Sequence, residues 1–156
     1  MLPDPNYRNV FLDSCAFDPK YAPEDAASTE IFGRYSAGLL KALTVAHSNL
    51  KEIEHPNTPD WVKRAAADAI FTLDVQLTVD ERARKERILD VLAGNGGRDK
   101  MRQDAAHVFE ASKYGGYFIT TDERILKRRD ELKGICDAII VRPSEFVAVL
   151  KQYEAG

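Results

Sequence analysis

Short apolar runs alternate with longer amphipathic segments along most of the chain. This alternation is typical of an α/β fold in which helices cover a mostly parallel sheet, so we predict a three-layer α/β/α sandwich. One segment alternates apolar and polar residues with period two, which predicts a half-buried edge strand at 71–79. The predicted strands are 9–12, 42–46, 71–79, 117–121 and 137–141, and the predicted helices are 23–40, 48–55, 80–93, 99–114, 123–132, 143–153 and one that begins at Pro59.

Residues that favour helix ends support these boundaries. Thr58-Pro59 places a capping residue before a proline at the first helical position. Gly94 and the pair Gly115-Gly116 follow helical segments, where glycine readily adopts the left-handed conformation that ends a helix. The residues of helix 80–93 that we predict to face the core are Ala83, Ile88, Val91 and Leu92.

The composition is that of an ordinary globular protein. Of the 156 residues, 44% are hydrophobic and 30% are charged, which fits one domain over 1–156 and excludes disordered and coiled-coil classes. Apolar runs such as 138–141 are far shorter than the roughly 20 residues that span a bilayer. Prolines and polar residues at 3–6 interrupt any signal peptide, and two cysteines indicate no disulfide scaffold, so we expect a cytoplasmic protein. The net charge of −3 argues against coating nucleic acid by bulk charge.

Four acidic residues are candidates for a functional site. Asp13 and Asp122 each come directly after an apolar run that predicts a strand. The carboxyl ends of parallel strands meet at one edge of a sheet, where ligands bind in open α/β folds, so we expect these two acids to be neighbours. Asp104 lies at the rim of the apolar face of the preceding helix, and Glu52 lies on the helix predicted for 48–55.

Four short strings around these acids occur in a characteristic order. They are Phe11-Leu12-Asp13-Ser14, Leu50-Lys51-Glu52-Ile53, Asp104-Ala105-Ala106-His107 and Thr120-Thr121-Asp122. Together they resemble the PIN-domain family of metal-dependent ribonucleases over essentially the whole chain. The resemblance implies a PIN-like fold and a catalytic quartet of Asp13, Glu52, Asp104 and Asp122, with Glu54 as a competing assignment for the second acid.

The resemblance also implies a cofactor, a substrate and partners. The quartet would hold one or two magnesium or manganese ions, because carboxylate oxygens suit hard divalent ions. A bound ion can lower the pKa of a water to make the attacking hydroxide and can neutralise charge on the scissile phosphate. We assign direct or water-bridged metal contacts to Asp13, Asp104 and Asp122, and the orientation of a metal-bound water to Glu52. The implied substrate is RNA, cut to leave a 3′-hydroxyl end. Because many small stand-alone members are toxins of bacterial toxin–antitoxin pairs, the implied partners are an antitoxin protein and a second copy of the chain.

Several site residues also have a simpler structural interpretation. Asp13 and Asp122 each precede a helix or turn, where aspartate is a preferred N-cap. Thr120 has the propensity of an ordinary strand residue, which we favour, although a hydroxyl beside Asp122 could also bind a metal-bound water or a phosphate. His107 follows an acid by one helical turn, and we expect it to be a polar residue at the rim of the site. Cys15 stands where the family commonly has Asn, and no nucleophile-elbow pattern surrounds it, so we reject a covalent mechanism and expect a buried thiol.

A basic cluster follows Asp122 in the sequence. Arg124, Lys127 and Arg128 could hold RNA phosphates and offset the acidic pocket, whereas the interleaved charges of 80–90 indicate a solvated helix face. A second hypothesis is a PIN-like fold kept as a non-catalytic module that binds RNA or protein. The four acids favour the ribonuclease.

An apolar stripe on the predicted helix 23–40 bears on association. Ile31, Phe32, Tyr35 and Leu39 recur at helical spacing. Such a stripe would suit contact with a second copy or an antitoxin, and core packing within the monomer accounts for it equally well.

Overall fold

The structure, a computed structural model, describes residues 2–16, 19–40, 43–45 and 77–154. None of the helices in these ranges is long and apolar enough to cross a bilayer. The strands there are β1 (Val10–Leu12), β2 (Thr44–Val45), β3 (Tyr117–Ile119) and β4 (Ile139–Val141). The α-helices there are α1 (Glu24–Ser36), α2 (Val79–Ala93), α3 (Arg98–Lys113), α4 (Glu123–Leu126), α5 (Arg129–Lys133) and α6 (Pro143–Glu154), with short 3-10 helices at Pro5–Tyr7 and Ser14–Ala16.

The described strands form one sheet in the order β2-β1-β3-β4, and all neighbouring strands run parallel. Val10 lies opposite Tyr117 and Leu12 opposite Ile119 in the β1–β3 pair. The predicted α/β class and the predicted parallel sheet are confirmed.

Helices pack on both faces of this sheet. Successive strand residues point to opposite faces, because the strand period is two. Val10 and Leu12 therefore pack into a core with α1 and α6, whereas Phe11 packs into a second core with α2 and α3. Because both faces are covered, every residue of β1 and β3 is apolar and buried.

A buried carboxylate joins the two helices of the first core. Glu24, the first residue of α1, is only 3% exposed. Its two oxygens accept hydrogen bonds from the N–H and the hydroxyl of Ser144, each at 2.8 Å, at the start of α6. Glu24 thereby satisfies an N-terminal donor that the helix itself leaves without a partner.

The apolar stripe of α1 packs mainly within the monomer. Ile31 and Phe32 are buried in the first core, and Tyr35 packs against it with part of its surface exposed. Leu39, beyond the end of α1, is 60% exposed. Core packing therefore accounts for most of the stripe, and association through it stays a prediction.

Two glycines lie between the end of α3 and the start of β3, as the predicted helix stop requires. Gly115 has φ of 62°, the left-handed conformation that ends a helix. Gly116 lies where β3 enters the sheet, and a Cβ there would be 2.4 Å from the backbone oxygen of Asn9. The next residue, Tyr117, donates its N–H to that same oxygen at 2.8 Å. Glycine at 116 therefore allows the backbones that lead into β1 and β3 to approach.

The predicted edge strand 71–79 is wrong at its C-terminal end. Val79 is the first residue of α2, and Thr78 caps that helix. The Thr78 hydroxyl accepts from the Glu81 N–H at 3.1 Å, and the Glu81 carboxylate accepts from the Thr78 N–H at 2.9 Å. This reciprocal pair satisfies two backbone donors and fixes the helix start. Residues 71–76, the predicted helix 48–55 and the helix predicted to begin at Pro59 lie outside the described residues.

Other predicted helices differ in length or orientation. α1 ends at Ser36 rather than residue 40, and Gly38 follows with φ of 78°. The helix predicted for 123–132 is two helices, because the chain bends at Lys127-Arg128 and the buried residues of α4 and α5 then reach the same core. Ala83 is exposed, contrary to prediction, and as a small residue it loses little burial energy there.

Candidate functional site

The site lies between β1 and β3, where the chain switches from adding strands on one side of β1 to adding them on the other. From β1 the chain continues to β2 on one side, whereas β3 and β4 lie on the other side. Loops that leave two such neighbouring strands in opposite directions open a crevice at the carboxyl ends of the strands, the usual ligand position in open α/β folds. Asp13 directly follows β1, and its N–H donates to the oxygen of Ile119 at 2.9 Å. The backbone thus places Asp13 at this crevice.

A buried hydroxyl links the two acids that follow strands. Asp13 is 4% exposed and Thr120 is 0% exposed. The Thr120 hydroxyl donates to Asp13 Oδ2 at 2.8 Å and accepts from the N–H of Asp122 at 3.0 Å. The structure therefore brings Asp13 and Asp122 together, as their positions after parallel strands led us to expect.

Asp122 has two roles in the structure. Its carboxylate caps α4 by accepting from the N–H of Arg124 at 2.9 Å, so the structural interpretation of Asp122 as an N-cap is confirmed. The same carboxylate accepts two hydrogen bonds from the Arg124 guanidinium, at 3.1 Å from Nε and 2.7 Å from Nη2. Burial alone would raise the pKa of Asp122, but the hydrogen bonds and charge of Arg124 outweigh it and hold that pKa below the ordinary value of 3.8. The carboxylate is therefore ionised at neutral pH.

The guanidinium of Arg124 also reaches the acid on α3. Its Nη2 lies 3.5 Å from Asp104 Oδ2, and the Asp104 side chain is 16% exposed. The pKa of Arg124 is raised mainly by Asp122, with smaller contributions from Asp104 and Asp13. Asp13, Asp104 and Asp122 therefore all act on one guanidinium.

The structure describes three of the four predicted acids. Glu52 lies outside the described residues, and so does its competitor Glu54. The three described carboxylates and the guanidinium of Arg124 carry two net negative charges when all are ionised.

Cys15 contributes a neutral thiol to the site. Although the residue is exposed overall, its Sγ donates to Asp13 Oδ2 at 3.3 Å and lies 3.3 Å from the Thr120 hydroxyl. Loss of solvation around the sulfur, together with the charge of Asp13, raises the thiol pKa to about 12. A thiol that keeps its proton is a poor nucleophile, which agrees with rejection of a covalent mechanism. The expected burial therefore applies to the thiol and not to the rest of the residue, which is exposed.

His107 is a core residue rather than a rim residue, so the predicted position is wrong. It is 2% exposed, and its Nδ1 lies 3.8 Å from Asp13 Oδ1. Burial lowers the pKa of His107 to about 4, so the imidazole is neutral at neutral pH. The ring faces inward because α3 presents this side to the second core, between the buried residues Ala105 and Val108.

Two of the three basic residues predicted to bind RNA are engaged with acids. Arg124 contacts Asp122 and Asp104, and Arg128 Nη1 lies 3.0 Å from Glu131 Oε1. Lys127 is exposed. A phosphate that binds Arg124 or Arg128 would therefore share the guanidinium with these acids or replace them.

The donor atoms of the site suit a hard divalent cation. Asp13, Asp104 and Asp122 supply carboxylate oxygens, which magnesium and manganese accept readily. As the side chains of residues 2–16, 19–40, 43–45 and 77–154 are placed, no group of three or more His, Cys, Asp or Glu could hold a metal ion. Arg124 bridges Asp104 and Asp122 in this arrangement. The chemistry of the donors therefore fits the metal, and coordination by both acids requires the guanidinium to move.

The structure gives Thr120 a role in the site, where the sequence favours an ordinary strand residue, and Arg124 contacts two of the acids whose charge the sequence led us to expect it to offset. Thr120 was assigned to the strand, although a hydroxyl two residues before an acid can accept the N–H of that acid. That local pattern is a signal that the sequence does contain. The contact of Arg124 with Asp104 depends on how α3 and α4 meet, which no local pattern encodes.

Comparison with models of known protein families and with curated proteins gives no match for the chain. The PIN-domain resemblance therefore rests on the four short strings around the acids.

Proposed function

We propose that the protein is a metal-dependent ribonuclease of PIN type, with a three-layer α/β/α fold, that hydrolyses RNA phosphodiester bonds. The observation that carries this proposal is the position of Asp13 and Asp122 at the carboxyl ends of β1 and β3, where both bind the Thr120 hydroxyl, with Asp104 brought to Asp122 by a shared arginine. Grouping like charges costs free energy, and such groups concentrate at functional sites. The choice of RNA as substrate comes from the family resemblance of the strings around these acids.

The residues of the chain have distinct roles in this proposal. Magnesium or manganese, when bound, supplies an activated water and neutralises charge on the scissile phosphate. Asp13, Asp104 and Asp122 hold the ion through carboxylate oxygens, and Glu52 is the fourth acid by resemblance. Thr120 keeps Asp13 oriented by donating its hydroxyl proton to Oδ2.

Basic residues beside the acids are the proposed contacts to the RNA backbone. Lys127 and Arg128 follow α4, close in sequence to the site acid Asp122. Phosphate contacts position an RNA strand without reading its sequence. An antitoxin protein and a second copy of the chain are partners proposed from the resemblance alone.

A non-catalytic binding module is the second candidate, and one observation favours it. Arg124 already compensates Asp122 and Asp104, so these acids have a counter-charge without a metal. A module of this kind would bind RNA or protein and cleave nothing.

Incubation of the purified full chain with a labelled RNA pool tests the ribonuclease. We expect cleavage with magnesium or manganese and none in EDTA. Asp13→Asn and Asp122→Asn should each lower the cleavage rate by more than the roughly 10–100-fold that loss of an outer-shell metal partner costs.

Asp99→Asn is the matched control, because Asp99 is an acid on the same helix as Asp104 with a side chain 96% exposed. The Asp99→Asn variant should cleave RNA at the wild-type rate. Cleavage that persists in EDTA, or in both Asn variants, contradicts the metal mechanism. A wild-type protein that binds RNA and never cleaves it supports the binding module instead.

A further inference from the structure

Arg124 is the cation at the centre of the described site. We propose that its guanidinium is a resident counter-ion, which holds Asp122 and Asp104 in the metal-free protein and which a divalent ion must displace in order to bind. This inference rests on the proposed function only in that a divalent ion binds these acids.

Arg124 contacts three of the four carboxylate oxygens of Asp122 and Asp104. Nε and Nη2 bind the two oxygens of Asp122 side by side, at 3.1 and 2.7 Å. Such bidentate pairs are the strongest that arginine makes with a carboxylate. The same Nη2 lies 3.5 Å from Asp104 Oδ2, so one nitrogen bridges acids from α3 and from the start of α4. An ion coordinated by both acids would compete with this nitrogen.

Displacement of the side chain requires no opening of the core. The Arg124 side chain is 58% exposed and extends from the first turn of α4. An exposed side chain changes rotamer much faster than the fold opens. Arginine also keeps its charge at every pH of interest, so only movement of the guanidinium, and not loss of a proton, removes it from the acids.

A second arginine that bridges two acids, outside the proposed site, provides a matched control. Arg98 contacts Glu86 and Asp90 with its two terminal nitrogens, as Arg124 contacts two acids. Arg98→Ala removes the same charge and the same kind of bridge, but from acids that are not in the proposed site.

Calorimetric titration of the full chain with Mn²⁺ tests whether Arg124 competes with the ion. Arg124→Ala and Arg124→Gln should each bind Mn²⁺ about tenfold more tightly than the wild type, the change expected when a bidentate pair no longer competes. Arg98→Ala should bind it as the wild type does. Melting provides a second readout: the Arg124 variants should be less stable than the wild type in EDTA and should gain more from saturating Mn²⁺.

The outcomes separate this inference from the proposed function. Mn²⁺ binding that is unchanged or weaker in both Arg124 variants, beside measurable wild-type binding, overturns the inference and leaves the metal site in place. Tighter binding in Arg98→Ala as well would show a general charge effect and overturns it too. If no protein in the set binds Mn²⁺, both the inference and the metal-dependent function fail. Arg124→Gln removes the charge but keeps the side chain as far as Cδ, so it decides the question even if Arg124→Ala does not fold.

Discussion

The hydroxyl of Thr120 is a single polar group that joins three parts of the site. It donates to Asp13, accepts from the N–H of Asp122 and touches the thiol of Cys15. All of this takes place at a residue that is 0% exposed, where water cannot replace a lost partner.

Thr120→Val keeps the shape of the side chain and removes the hydroxyl. We expect the free energy of unfolding to fall by about 1–3 kcal/mol, because Asp13 and the Asp122 N–H each lose a buried partner. Thr120→Ser keeps the hydroxyl and should stay closer to the wild type. Urea unfolding measures the difference, and a Val variant as stable as the wild type would contradict this role.

Gly116 is a residue at which even one methyl group should be harmful. Its Cβ would meet the backbone oxygen of Asn9 at 2.4 Å, and neither backbone can yield without disturbing the β1–β3 pair. We expect Gly116→Ala to lower the free energy of unfolding by about 1–3 kcal/mol, the usual cost of overpacking.

Gly33 is the control for this substitution, since it lies within α1 and a Cβ there would meet nothing within 4 Å. Gly33→Ala should raise stability by about 0.5–1 kcal/mol through helix propensity. Thermal melting of both variants checks the contrast. Equal effects of the two substitutions would show that the close approach at Gly116 is unimportant.

At the scale of elements, one carboxylate joins the last two helices. Glu145 Oε1 accepts from the backbone N–H of Arg142 at 2.9 Å and from Arg129 Nη1 at 2.8 Å. The first contact satisfies a donor at the start of α6, and the second ties α5 to it. Since α5 has only five residues, it depends on such tertiary contacts.

The charge of Glu145 should make stability depend on pH. Partial burial alone would raise the pKa of Glu145, but Arg129, the Arg142 N–H and the two arginine charges lower it below 4.5. A carboxylate with a lowered folded pKa contributes stability above its unfolded pKa and loses it as pH falls through the folded value. Because the Arg129 and Glu145 side chains are 38% and 39% exposed, we expect less than about 1 kcal/mol.

Glu145→Gln tests this dependence, because the amide oxygen can still accept from the Arg142 N–H. The variant should be less stable than the wild type at neutral pH, and the gap should close as pH falls below 4.5. Urea unfolding across pH measures the gap. A gap that stays constant into acid would mean that packing, not charge, is responsible.

The elements that local sequence specifies were predicted, and those that depend on distant contacts were not. β1, β3 and β4 are apolar runs that are buried except for the partly exposed Ile139, so the sequence indicates their positions. The bend between α4 and α5 was not, because residues 123–132 suit a continuous helix and only packing against the second core separates them. The period-two alternation that ends at Val79 predicts a strand there. In the structure the capping pair Thr78 and Glu81 fixes the start of α2 at Val79 instead.

For the molecule as a whole, the sequence predicted where the site lies better than how its charges are balanced. Asp13 and Asp122 follow strands, so a parallel sheet was enough to bring them to one edge. The pairing of Arg124 with Asp104 requires α3 and α4 to meet, and residues 20 positions apart reveal no such contact by spacing. Burial of His107 likewise follows from the packing of α3 as a whole.

The pairing of β1 with β3 also sets the order in which the protein is built. Asp13 and Thr120 are 107 residues apart, and a ribosome releases the first long before the second. The chain emerges with its N-terminus first, at about 5–20 residues per second, so β1 is made well before its partner β3. The acidic crevice cannot form until residue 122 has left the exit tunnel. A nascent chain of the proposed nuclease is therefore unable to attack the messenger from which it is being translated until that point in its synthesis.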